Sequence, residues 1–215
     1  FGPMGDGERT LVGGFTREDT FKYETRYDQL PGVPATVRLE PGIQSGKQPT
    51  QTIALNSVVA GFLVSRDQGG VADDLQPFDM KLLHFRRTFV EKLFTIHGKI
   101  ERFKADGTAV GRDARHYADI HKLAGENDVV AMLNSPEYGE LKLDYDKTSQ
   151  RFFPKTYRPP IDLSFNNSDA LFPSPALRAQ IETDYARECA VLFAARPHPT
   201  LAEILTRLES IRELL

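Results

Sequence analysis

The residues of this 215-residue chain whose types and spacing could do chemistry are Lys92 and Asp119, with Arg87 and Arg115 a few positions from them. Phe89, Leu93, Ile96, Ile100 and Phe103 recur at helical spacing, and Lys92 falls beside that apolar stripe, not opposite it. A lysine so placed either lays its stem along apolar surface with the ammonium in water, or aims the ammonium into a cleft at an anion. In a second segment Tyr117, Ile120 and Leu123 supply a buried side and leave Arg112, Arg115, His116 and Asp119 near one edge. Arg115 and Asp119 are i,i+4 neighbours, and one reading of them is a surface ion pair worth about 0.3–0.5 kcal/mol. The other is that two helices, each bringing charge to the border of its apolar face, line one polar cleft. Arg86 and Arg87, beside a helix N-terminus, add guanidiniums suited to phosphate.

The elements that must position these groups can be read from the same sequence. Thr88 and Glu91 have the spacing of a capping box at a helix start, and 78–85 reads as a strand feeding that helix. Residues 106–111 form the loop between the two charged helices, and 123–132 continues as helix with a break near Gly125. Residues 138–170 read as irregular, because Pro154, Pro159, Pro160 and Asn166-Asn167 interrupt them; the stretch either covers the cleft or connects two helical parts. Ser174-Pro175 starts a helix with Ile181, Tyr185, Cys189, Leu192 and Phe193 inward, and Pro199 to Glu203 opens a last one buried through Ile204, Leu208 and Ile211. Upstream, 20–26 with Tyr27 and the Leu30-Pro31-Gly32 turn, then 35–40, read as an antiparallel strand pair. Glu40 ends it on the side of Arg38, where a cross-strand ion pair is one reading. Residues 53–63 suggest a short helix, and 67–74 a loop.

At 40% hydrophobic and 27% charged, the composition is that of a soluble globular protein, long enough for one large or two small domains. No apolar run approaches the ~20 residues of a membrane span, so no membrane partner is expected, and nothing resembles a signal peptide. The single cysteine, Cys189, excludes an internal disulfide and a Cys-rich zinc site. The cytoplasm is the natural setting. A net charge of −3 conceals an asymmetry: residues 81–122 carry ten Lys/Arg against five Asp/Glu. A local positive field is what a polyphosphate or an RNA backbone would seek, although two solvated helix faces give the same counts.

The block Arg87-Thr88-Phe89-x-Glu91-Lys92-Leu93-x-x-x-His97, followed by Arg115-His116-x-x-Asp119-Ile120-x-x-Leu123, resembles the middle of the AbiEii nucleotidyltransferase toxins of type IV toxin–antitoxin systems. Flanking pieces fit in order: Lys22-Tyr23 with Tyr27, Val37-Arg38-Leu39-Glu40-Pro41-Gly42 with Pro49, Asp184-Tyr185 at a helix opening, and Thr200 to Leu205. The resemblance implies an α+β fold: the C-terminal part of a polymerase-β-like nucleotidyltransferase core over 1–85, then a mainly helical domain over 86–215. It implies transfer of a nucleoside monophosphate from an NTP to an acceptor, with tRNA the candidate, Mg²⁺ as cofactor and a cognate antitoxin as partner. Such chemistry is mostly positioning plus neutralisation of phosphate charge.

In that scheme Lys92 holds the triphosphate, Asp119 orients the lysine or assists the attacking hydroxyl, Arg115 stabilises phosphate or the helix, and Arg87 is a further phosphate ligand. Glu40 becomes the third metal carboxylate beside its ion-pair reading. His116 stands where many members have Asp. The family's Gly-Ser loop and Asp-x-Asp strand are not matched, since Gly13-Gly14 leads to Asp19 too close to the Tyr23 strand. That segment is expected upstream of a chain that opens on Phe1 without an initiator methionine. The alternative is a non-catalytic module of the same fold that binds an antitoxin or RNA.

Overall fold

A computed structural model describes residues 8–12, 16–24, 28, 35–68, 76–193 and 197–215. The architecture is α+β. Strands β1 (Glu8–Val12), β2 (Thr16–Lys22) and β3 (Thr36–Leu39) form an antiparallel sheet in that order, with Asp19 opposite Leu39 and Lys22 opposite Thr36. A second, two-stranded antiparallel sheet pairs β4 (Thr50–Leu55) with β5 (Phe78–Leu83), and α1 (Val58–Val64) lies between them in sequence. The antiparallel pair expected around residues 20–40 is thus present. Its turn at 30–32, Tyr27 and Gly13-Gly14 lie outside the described residues. The short helix expected over 53–63 divides into the end of β4 and α1, because Ser57 accepts the Ala60 N–H and caps a helix only from Val58.

From residue 85 on the chain is helical: α2 (Phe85–Asp106), α3 (His116–Leu123), α4 (Asn127–Leu133), α5 (Pro136–Phe152), α6 (Pro175–Leu192) and α7 (Leu201–Ser210). The expected capping box at Thr88 is not the start of α2. Strand β5 runs almost directly into the helix, and His84, in extended conformation, caps it by accepting the Arg86 N–H at Nδ1, 3.2 Å away. Thr88 and Glu91 therefore lie within α2, and Glu91 pairs with Arg87. The stretch 138–170 is also more regular than its prolines suggest. Helix α5 takes its first half, opened by Pro136 at a position where proline loses no hydrogen bond, and the interrupting prolines begin only at Pro154. Asp184-Tyr185 sits in the middle of α6, which starts at Pro175 behind the cap Ser174, and not at a helix opening. The break near Gly125 falls between α3 and α4, as expected. The capping box of α7 is complete: Thr200 and Glu203 each bond the other's backbone N–H.

Helix α2 is the axis of the core. Phe89, Leu93, Ile96 and Ile100 are fully buried, and Tyr117, Ile120, Ile181, Cys189, Leu201, Ile204 and Leu208 close around them. Phe94 stacks on Tyr145 of α5 at 4.4 Å and meets Phe165 edge-on at 4.9 Å. Among the residues before α2 whose side chains are described, from Arg17 on, Ala60 alone is a buried hydrophobe. Val37 and Leu39 of β3 are 60% and 55% exposed. Among the described residues no helix is long and apolar enough to cross a membrane.

Candidate functional site

Helices α2 and α3 pack side by side and bring together two residues 27 positions apart. With Phe89 and Leu93 in the core, Lys92 is turned to the edge of α2, while buried Tyr117, Ala118 and Ile120 turn the opposite edge of α3 toward it. Lys92 Nζ lies 2.8 Å from Asp119 Oδ2 and 2.9 Å from His116 Nδ1, and His116 Nδ1 lies 3.1 Å from Asp119 Oδ2. Three polar atoms from three side chains thus form a triangle. Two helical turns further along α2, Lys99 Nζ meets Asp113 Oδ2 at 2.6 Å, and Asp113 Oδ1 stands 3.6 Å from His116 Nε2. The lysine is mostly buried at 19% side-chain exposure, whereas Asp119 is 47% exposed, so the pair opens to solvent on the carboxylate side. Partial burial acts to raise the Asp119 pKa, but His116 and Lys92 beside it prevail and hold it down at about 2. Helix α6 closes the back of this group: Tyr185 packs edge-on to Tyr117, and its hydroxyl donates to the Pro199 carbonyl at 2.7 Å.

The surface ion pair between Arg115 and Asp119 is not formed. Asp119 is taken by Lys92 and His116, and Arg115, which ends a 3-10 turn over Gly111–Arg115, makes no ion pair among the described residues. Arg87 is elsewhere. Its guanidinium is buried at 2% exposure, with Nε 2.8 Å from Glu91, and Nη1 2.7 Å from Asp144 of α5 and 2.8 Å from the Gln48 carbonyl, while Nη2 has no partner. It lies in the wall of a cleft of about 670 Å³ between the 43–49 loop and α5, to which neither Lys92 nor Asp119 contributes.

The positive surplus of residues 81–122 is largely neutralised in place. Arg86 meets Glu137, Arg102 meets Asp106, and Lys104 bridges Glu101 and Asp169, alongside the pairs of Arg87, Lys92 and Lys99. Lys81, Arg112, Arg115 and Lys122 remain without an ion pair among the described residues. Glu40, just past β3, is exposed and lies 3.3 Å from Arg38, which also reaches Glu18 at 3.5 Å. A cation thus already stands between these two carboxylates, and no group of three His, Cys, Asp or Glu side chains gathers among the described residues. They do not fit a Mg²⁺ site at Glu40.

Sequence reasoning placed His116 at the edge of α3 but gave it no role, and passed over Asp113 and Lys99. The available signal was spacing: Lys92 and Lys99 are seven apart on α2, and Asp113 and Asp119 are six apart on the segment opposite. What the arrangement can do is present an ammonium, fixed by two acceptors, at the mouth of a partly open polar site. An ammonium so placed has the chemistry to meet an anionic oxygen. A family model for the nucleotidyl transferase AbiEii toxin of type IV toxin–antitoxin systems matches residues 5–207. No curated protein and no solved structure matches the chain.

Proposed function

Since this chain belongs to the AbiEii nucleotidyl transferase toxin family, we propose that it transfers a nucleoside monophosphate from an NTP to an RNA acceptor, tRNA being the candidate, with the Lys92–Asp119 pair at the reacting end. The observation that carries this reading is the 2.8 Å contact between Lys92 and Asp119 across two helices. The pair holds an ammonium at the edge of an open site, where an incoming triphosphate can share it with Asp119. Asp119 fixes the direction of that charge, and its low pKa keeps it ionised at neutral pH, available to accept a hydrogen bond from the attacking hydroxyl. Arg115, without an ion pair among the described residues, is the second cation proposed for phosphate. Arg87 enters as a tie between the 43–49 loop and the helices.

Phosphoryl chemistry of this kind calls for a divalent cation that screens the phosphates. Glu40, engaged by Arg38, is poorly suited to hold it. A toxin of this family implies an antitoxin partner.

The test is transfer of an α-labelled NTP to total RNA in the presence of Mg²⁺. The reading expects label in RNA, concentrated in one size class. Salt-sensitive RNA binding without any label would contradict it and favour a binding module.

A further inference from the structure

The triangle of Lys92, His116 and Asp119 constrains where protons sit. A lysine ammonium carries three donors and no acceptor, so an imidazole nitrogen 2.9 Å from Nζ meets it favourably only with its lone pair. The contact with Lys92 therefore selects the neutral imidazole with its proton on Nε2, the nitrogen that faces Asp113 Oδ1 at 3.6 Å. In that state Nδ1 and Asp119 Oδ2 both accept from the same ammonium, their 3.1 Å separation is the gap between two acceptors, and Lys92 is what keeps the carboxylate ionised; the part His116 plays in lowering the Asp119 pKa belongs to the state with a proton on Nδ1. Two of the three Lys92 N–H groups are thereby fixed. A protonated imidazole gives a different arrangement: an N–H at Nδ1 sets like charges 2.9 Å apart and makes His116 a competitor of Lys92 for Asp119.

We propose that His116 is a positioning residue for Lys92, accepting its hydrogen bond at Nδ1, so that the ammonium is held toward the triphosphate only while the imidazole is neutral. The proposal rests on the reading of Lys92 as the triphosphate group. The groups around His116 allow both protonation states. Helix α2 presents Lys92 and Lys99, and the segment of His116 itself presents Asp113 and Asp119. From α6, Tyr185 approaches Asp119 with its hydroxyl committed to Pro199. Glu203 and Arg207 of α7 act on His121. A carboxylate at position 116 would hold the ammonium without this dependence on pH.

Two measurements decide it. In the full chain labelled with ¹⁵N-histidine, NMR reports the tautomer of each imidazole without any need for activity. The expected state of His116 near neutral pH is protonated at Nε2 and bare at Nδ1, and a proton on Nδ1 there overturns the proposal. In the labelled-NTP assay, kcat/KM should fall as the medium is acidified, because a protonated imidazole cannot accept from Lys92. His116→Asn, whose side-chain oxygen replaces Nδ1 as acceptor, should stay within roughly tenfold of the wild type and lose the acid limb; His116→Ala should drop about 10- to 100-fold, the loss of a hydrogen bond to a charged group. An acid limb unchanged in His116→Asn, or His116→Ala matching the wild type, refutes the role. Should the wild-type chain transfer no nucleotide, the transferase reading falls, and the tautomer alone decides whether His116 is the acceptor for Lys92.

Discussion

Asp119 shows how a residue's environment sets both its charge and its contribution to stability. Its folded pKa of about 2 lies below the ordinary 3.8, so the folded state favours the ionised form. A depressed carboxyl stabilises the fold above its unfolded pKa and loses that contribution as pH falls through the folded value. Asp119→Asn should therefore destabilise the protein at pH 6, and the gap to wild type should shrink between about pH 4 and pH 2; denaturant unfolding at the two ends of that window checks it. A constant gap would mean that the charge of Asp119 is irrelevant to folding. Lys92 and Asp119 were visible in the sequence as charges at the borders of two apolar stripes. Their contact was not, because periodicity places a residue on its own helix and says nothing of which helix lies opposite. The competing i,i+4 pair of Arg115 and Asp119 was equally well formed on paper and lost to the buried lysine.

At the scale of elements, the least legible parts were those in which local signals competed. Thr88 and Glu91 have the spacing of a capping box, yet His84 took the cap because β5 delivers an extended residue directly to the helix start. Residues 136–152 form a helix whose inward positions Tyr138, Leu141, Tyr145 and Ser149 repeat at helical spacing, but the prolines that follow overshadowed that pattern. The α7 cap was plain, since Thr200 and Glu203 agree with the apolar stripe behind them. Thr200→Ala should cost about 1 kcal/mol, read as a drop in Tm. Between elements, the 43–49 loop is joined to α2 and α5 through Arg87, and the Gly46 backbone approaches so closely that a Cβ there would overlap the guanidinium. Arg87 cannot move aside without leaving Glu91, Asp144 and the Gln48 carbonyl. Gly46→Ala should thus destabilise by about 1.5–3 kcal/mol, and should become nearly neutral in an Arg87→Ala background, a non-additivity expected of groups in contact. Equal effects in both backgrounds would show that the loop is held by something other than Arg87.

For the whole molecule, the division of labour follows from where the apolar surface is buried. The core is built on α2 and the helices after it, whereas the strands before it are joined mainly by backbone ladders, and α1 leaves Val58, Val59 and Phe62 exposed. Amide exchange should accordingly be slowest in α2, α3 and α6 and fastest in β1 to β3, because local opening costs least where few apolar contacts are lost. Uniform protection would contradict this. The α+β class was legible from strand-like alternation before residue 85 and helical spacing after it. The exposure of β3 was not, since alternation marks two faces without saying whether either is covered. The central claim is that Lys92 and Asp119 act as one unit on an NTP. Its most direct measurement is kcat/KM for labelled nucleotide transfer to RNA in wild type, Lys92→Ala, Asp119→Ala and the double variant. Loss of a group that neutralises developing charge lowers rates about 10²- to 10³-fold, and residues acting as a unit are grossly non-additive. Each single variant should fall in that range and the double variant no further than the worse single one; single variants that label RNA at the wild-type rate would contradict the account.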